Sequence, residues 1–184
     1  MIIPLSPLTP LKNFKLISLS LVPRPIAWVS SLNASGNINL APFSFFNVIS
    51  LEPTLLSLCF TKKSDGDFKD TFINAKTHKK LTISIPSLKH QQSVQESSKE
   101  LQSTLSEATE FGIKLKILHP GYPPAPADIE VVFFCEFYDV LDFKSATDTL
   151  VVELKEIYIQ DLLYKESLDF DFRALGRSGR GYKN

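Results

Sequence analysis

Residues 23–53, PRPIAWVSSLNASGNINLAPFSFFNVISLEP, decide the fold. Pro25 to Leu32 reads as a strand, since Ile26, Trp28 and Val29 alternate in part and β-branched or aromatic types dominate. Asn33 to Asn37 is a turn: Gly36 accepts positive φ, and the Asn and Ser side chains bond the local backbone. Ile38 to Phe46 returns antiparallel, which makes a hairpin. Polar Ser and Asn residues are mixed with aromatics on strands that would otherwise be plain core. Ser44, Phe45, Phe46 and Asn47 are the sharpest case. A strand that leaves its sheet here presents N–H and C=O groups beside flat aromatic surface. That combination suits a planar heteroaromatic ring, with apolar faces and an edge of acceptors and one donor. A strand corner with a satisfied Asn side chain is the plainer use of the same residues.

Outward from the hairpin, Leu55 to Thr61 is a continuous apolar run, consistent with a buried barrel strand. Lys62 to Asp67 is a charged loop, and Phe68 to Lys76 reads as a helix with Phe72 and Ile73 facing inward. Lys69, Asp70 and Thr71 sit where that helix begins. Lys69 brings charge, and Thr71 brings a hydroxyl and an N–H at the positive end of the helix dipole. Lys62 and Lys63 add positive potential. A phosphate monoester, with about −1.5 to −2 charges, is held by such donors. A solvated loop with Asp67 or Asp70 as an ordinary N-cap uses the same residues. A ligand with a flat ring at one end and a phosphate at the other satisfies both stretches, and FMN is such a ligand. Pyridoxal phosphate also has both parts, but it needs a Schiff-base lysine, and none stands out.

The rest of the chain supplies more strands. Met1 to Pro23 is read as a leading arm with a short amphipathic stretch around Phe14 to Leu21. Lys80 to Ile85 is a strand stopped by Pro86. Gln91 to Leu105 is polar and helical, with Val94, Leu101 and Leu105 as its apolar positions. HPGYPPAPAD (119–128) is an extended connection. Glu130 to Leu141 and Thr149 to Ile159 are the longest strands, with a loop over Phe143 to Asp148. The tail LGRSGRGYKN is too rich in glycine for a stable helix. Many short strands and few helices make the chain mainly β, an antiparallel barrel or sandwich.

Composition narrows the function classes. The 184 residues form one domain, 1–184, with a formal net charge of +0. That balance gives no electrostatic case for nucleic acid or an anionic membrane. No stretch of about 18 apolar residues predicts a membrane span, and the N-terminus does not read as a signal peptide, so a cytoplasmic location is expected. Cys59 and Cys135 lie in apolar runs without metal-ligand spacing and read as buried free thiols; a disulfide between them stays open. No GxGxxG or GxxxxGK[ST] loop is present.

The stretch 23–53 resembles the hairpin of flavin-reductase-like, FMN-binding split-barrel proteins, the group that includes flavoredoxin. FKDTFINAKTHKKLTISI (68–85) is similar to that family's helix and next strand, and TEFGIKLK, the strand around Cys135 and LGRSGRGY are similar to later landmarks. The resemblance implies an antiparallel split β-barrel with a few peripheral helices. It implies a homodimer with two FMN sites near the subunit interface. Ser30 and Ser31 would lie beside the ribityl chain, and Ser44, Phe45, Phe46 and Asn47 would line the ring through backbone groups. Thr61, Lys69 and Thr71 would hold the phosphate with Asp70 beside them, and Arg24 and the Arg177–Tyr182 tail would close the site.

One departure bears on activity. Flavin reductases of two-component monooxygenases carry a histidine by the late strand, where TDTLVVELKEI here has Asp148 and Thr149 instead. His78, His90 and His119 all read as surface residues. The expected function is therefore an FMN-binding oxidoreductase that moves hydride or electrons through the flavin, with NAD(P)H as one possible donor. The competing reading is an FMN electron carrier that exchanges electrons with a redox partner protein and turns over no nicotinamide. Neither needs a side-chain acid, base or metal.

Overall fold

Alternation along the first long strand sends Ala27 and Val29 into one buried cluster and Ile26 and Trp28 into another. Both faces are thus covered, and even Ser30 and Ser31 on this strand are fully buried. The computed structural model describes residues 1–145, 147–179 and 181–183. Its elements begin with helix α1 (Pro10–Ser20), a short β1 (Arg24–Pro25), β2 (Ala27–Leu32), β3 (Ile38–Phe43), β4 (Phe46–Leu51) and β5 (Thr54–Thr61). Helix α2 (Asp70–His78) leads to β6 (Lys80–Ile85), a single 3-10 turn (Leu88–His90), α3 (Gln91–Glu96) and α4 (Glu107–Glu110). Two short strands, β7 (Leu115–Lys116) and β8 (Ala125–Pro126), precede the long β9 (Val131–Leu141) and β10 (Thr147–Ile159). The tail forms β11 (Gly176–Ser178) and β12 (Gly181–Lys183).

Seven strands pair in the order β3-β2-β6-β9-β10-β5-β4, all antiparallel. The two edge strands, β3 and β4, are consecutive in sequence and joined only by Ser44 and Phe45. Three Cα steps reach about 11 Å at most. The edges must therefore lie side by side, and the sheet curls into a barrel that is not zipped along that seam. This is the split. Phe46, Leu56, Leu58, Phe60, Ile83 and Leu150 fill the barrel, and Phe72 and Ala75 of α2 pack onto the same cluster. A second cluster around Trp28, Val94, Val132 and Phe134 lies on the other face. The tail hairpin pairs with β1, and Gly176 is required there by space: a Cβ would stand 2.6 Å from Cβ of Pro23.

Several expectations change. The leading arm is a helix, because Thr9 caps it by accepting from the Lys12 N–H and Pro10 takes the first position. In α2, Phe72 is buried but Ile73 is 46% exposed, since successive helical side chains point about 100° apart. The helix expected over 91–105 ends at Glu96, where the hydroxyls of Ser97 and Ser98 donate back to Val94 and Gln95 carbonyls and compete with further turns. Thr147 and Asp148 belong to β10 rather than to the loop before it, while Ala146 lies outside the described residues. His90 is not a surface residue: it is 3% exposed against Trp28, accepts the Ser87 N–H on Nδ1 at 3.1 Å, and burial lowers its pKa. Cys59 is only partly buried, and both thiols are free.

Candidate functional site

The seam leaves its backbone available. Ser44 and Phe45 belong to no strand, and of their main-chain groups only the Phe45 carbonyl has a main-chain partner among the described residues, accepting from Cys59 N–H at 2.9 Å. Aromatic rings flank them: Phe14 of α1 meets Phe45 edge-on at 5.4 Å, and Phe43 meets Phe60 at 4.5 Å. A cavity of about 260 Å³ opens here. It runs from Phe14, Phe43 and Ser44 to Thr61, Lys69 and Thr71 at the start of α2.

That helix start is built as a set of donors. The N-cap position is Lys69, and no side chain caps the helix. The N–H groups of Asp70 and Thr71 have no partner among the described residues. Asn39 Nδ2 donates to Thr71 Oγ1 at 2.9 Å and, at 3.5 Å, to Ser31 Oγ, which also accepts from Asn74 Nδ2 at 3.1 Å. The Thr71 hydroxyl is thus fixed as an acceptor on its buried side, and its own hydrogen remains free for the cavity.

Charge in this cavity is balanced. Lys63 pairs with Asp70 at 2.7 Å, and Lys69 pairs with Glu100. Lys69 and the Ser64 hydroxyl together hold the Glu100 carboxyl down at about 2. Glu107 is buried at the floor and accepts the Leu40 N–H at 2.8 Å; desolvation outweighs that bond and raises its pKa.

A second cavity, about 900 Å³, adjoins the first through Phe14, Pro42, Phe43, Ser44 and Ser98. Arg24 lies in its wall, 4% exposed, with Nη1 donating to the Ser18 and Leu21 carbonyls at 2.6 and 2.9 Å. Its Nε donates to Ser44 Oγ at 3.4 Å, and the guanidinium stands 5.4 Å from the Phe45 ring centre.

The structure therefore brings together Ser44, Phe45, Thr61, Lys69, Asp70 and Thr71 in one cavity, with Arg24 in the adjoining one. Ser30 and Ser31 are fully buried behind that wall and line neither cavity; Ser31 acts through Asn39. The Phe46 side chain is barrel core, and Asn47 is exposed on β4, its Oδ1 accepting the Val48 N–H. Arg177, Gly179 and Tyr182 of the tail line the second cavity, whereas Arg180 lies outside the described residues. Sequence reasoning missed Phe14, Asn39, Glu100 and Glu107. The motif NINLAPFS offered a signal for Asn39, a polar residue at a core-facing strand position; nothing local marked the other three.

The residues fit FMN. An uncapped helix start with two free N–H groups, a hydroxyl and a lysine suits a phosphate. Unpaired main chain between aromatic rings suits the edge and face of a flat ring. The cavity's 260 Å³ is small for the whole molecule, and the second cavity adjoins it along a shared wall.

Comparison with known proteins points the same way. A model of the flavin reductase like domain matches residues 19–176. A protein of Aquifex aeolicus is 29% identical over 174 residues, 92% of this chain and 87% of its own. The structure of 2-nitrobenzoate 2-nitroreductase from Pseudomonas fluorescens superimposes with a TM-score of 0.89 at 27% identity, over 100% of this chain and 91% of that one. Nitrilotriacetate monooxygenase component B from Bacillus cereus shares the fold, with a TM-score of 0.87 at 23% identity over 100% and 94% of the two chains.

Proposed function

The chain belongs to the flavin reductase-like family, and we propose that it binds FMN across the barrel seam and acts as a flavin-dependent oxidoreductase. One observation carries this reading: the uncapped start of α2 and the main chain of Ser44–Phe45, paired only at the Phe45 carbonyl, face one cavity. Lys69, the Thr71 hydroxyl and the N–H groups of Asp70 and Thr71 hold the phosphate. Main-chain groups of Ser44 and Phe45 orient the ring edge. Phe14, Phe43 and Phe45 keep water from the ring faces. Bound flavin supplies the hydride and single-electron chemistry.

Val48, Ile49 and Leu51 on edge strand β4 are exposed, at 51%, 49% and 82%, and this apolar edge is the surface offered to a second copy in a homodimer. Among the described residues no histidine lines either cavity, which favours a second reading in which a redox partner protein, not NAD(P)H, supplies the electrons. Anaerobic spectra of the FMN-loaded chain with NADH, then with a reduced ferredoxin-type protein, separate the two.

Replacing Lys69 and Thr71 together by alanine removes two contacts to a charged group, each worth about 1.5–3 kcal/mol, less the strength Lys69 already spends on Glu100. FMN affinity, followed by quenching of flavin fluorescence, should fall by about a hundredfold, with riboflavin affinity little changed. An unaltered FMN affinity in the double variant removes the phosphate assignment.

A further inference from the structure

The second cavity carries an arrangement of charge that FMN binding leaves unused. Arg24 and Arg177 are Cα partners across the β1–β11 ladder, so their side chains leave the same face of it. Like charges placed directly opposite destabilise a strand pair unless something sits between them. Lys12 and Lys15 add two more cations from α1. No carboxylate lines this cavity, and none of the four cations has an ion-pair partner among the described residues. Arg24 Nη2 makes no hydrogen bond there. The remaining wall is apolar, from Leu19, Ile26, Pro42, Phe43 and Val94.

We propose that this cavity binds the second substrate of the flavin site, and that this substrate is a small organic acid with a flat, apolar body. The proposal rests on the reading of the first cavity as the flavin site. The carboxylate lies between Arg24, which offers its free Nη2, and Arg177, whose guanidinium stands over the Tyr182 ring and bonds Gln95 only at 3.5 Å, so that one oxygen meets each arginine. The apolar body lies against Phe43 and Pro42, the wall shared with the first cavity. The volume of about 900 Å³ is at the upper end of small-molecule sites, which allows the ring end of the flavin and the acid to share it. Burial and the facing Arg177 both lower the Arg24 pKa, so an anion arriving there relieves a real electrostatic cost.

The test is calorimetric titration of 2-naphthoate and of its neutral isostere 2-naphthamide into FMN-loaded and FMN-free protein. Naphthoate should bind at least about tenfold more tightly than the amide, as a charge-assisted pair implies. Arg177→Gln should weaken naphthoate by about tenfold, leave the amide unchanged and leave FMN affinity within about twofold; Lys15→Gln, on the exposed rim, should weaken it by less. Equal affinity for acid and amide overturns the proposal, as does naphthoate binding that Arg177→Gln does not change. A loss of FMN affinity in Arg177→Gln as large as the loss of naphthoate affinity overturns it too, by placing the flavin phosphate at the arginines. NADPH binding that depends on Arg177, without naphthoate binding, also overturns it in favour of a dinucleotide. Failure to bind FMN at all would sink the flavin reading and with it the acid's role as second substrate, while naphthoate titration of the FMN-free chain still decides whether the arginines bind an organic acid.

Discussion

The two cavities that meet at Ser44 carry similar numbers of cations and different numbers of acids. In the first, Lys63, Lys69 and Lys99 face Asp70, Glu100 and Glu107. In the second, Lys12, Lys15, Arg24 and Arg177 face none. Paired lysines are held in place and cost the free protein little, but a ligand must win them from their partners. Arginines that face each other in a partly dry wall, bonded only to neutral groups and aromatic rings, cost the free protein stability, and an anion recovers it. The first cavity is therefore a framework whose selectivity comes from fixed donors at a helix start. The second is a demand for negative charge.

The largest expected effect comes from breaking the framework. Asn39→Leu strips Thr71 Oγ1 of its donor and leaves Ser31 Oγ with Asn74 alone. Buried polar groups stripped of a partner cost about 1–3 kcal/mol, so the urea midpoint should drop accordingly and FMN affinity should fall with it. Naphthoate binding at the arginines should persist in the folded variant. Loss of both affinities together would mean that the two cavities are one site, and the comparison would fail.

A smaller effect sharpens it. Glu100→Gln releases Lys69 and gives the first cavity, like the second, more cations than acids. Because the Glu100 carboxyl is held at about 2, the pair stays charged at every pH where the protein would be assayed. FMN should bind about threefold more tightly to the variant, and riboflavin, which lacks the phosphate, should not. Weaker FMN binding would show instead that Glu100 positions Lys69.

How much of this was legible in the sequence follows from what each feature depends on. The hairpin, β5, β6 and the two long strands rest on local alternation and turn chemistry and form where those signals are, but two bounds move: the return strand of the hairpin, expected to reach Phe46, ends at Phe43, and β10 starts at Thr147 rather than Thr149. The start of α2 was legible because Lys69, Asp70 and Thr71 are contiguous. Glu100 and Glu107 were not, because they reach the cavity from 97–107, a segment with no periodicity. The role of Phe14 depends on where α1 settles, and that helix buries only Ser18, so no apolar stripe announced its docking face. Arg24 and Arg177 were noted separately, but the ladder that sets them opposite pairs residues more than a hundred positions apart, a register no local pattern encodes.

The smallest effect concerns how many charges the first cavity holds. Glu107 accepts the N–H of Leu40 on edge strand β3, taking the place of a missing neighbouring strand. Desolvation raises its pKa, the Leu40 bond opposes the rise, and Asp70 adds to it. A carboxyl whose pKa is raised on folding binds its proton more tightly in the folded chain. Between the ordinary carboxylate value and the raised one, the folded state therefore holds more protons than the unfolded, and stability falls as pH rises through that window. Glu107→Gln removes the titration and keeps an amide oxygen for the Leu40 N–H. The variant's stability relative to the parent should grow as pH rises from 4 upward and then level off, read from urea unfolding at each pH. A gap that stays flat or narrows would show Glu107 fully charged, and the first cavity neutral. A gap that widens means that at the lower end of the range two acids face three lysines, so the first cavity also turns cationic and the contrast between the two depends on pH.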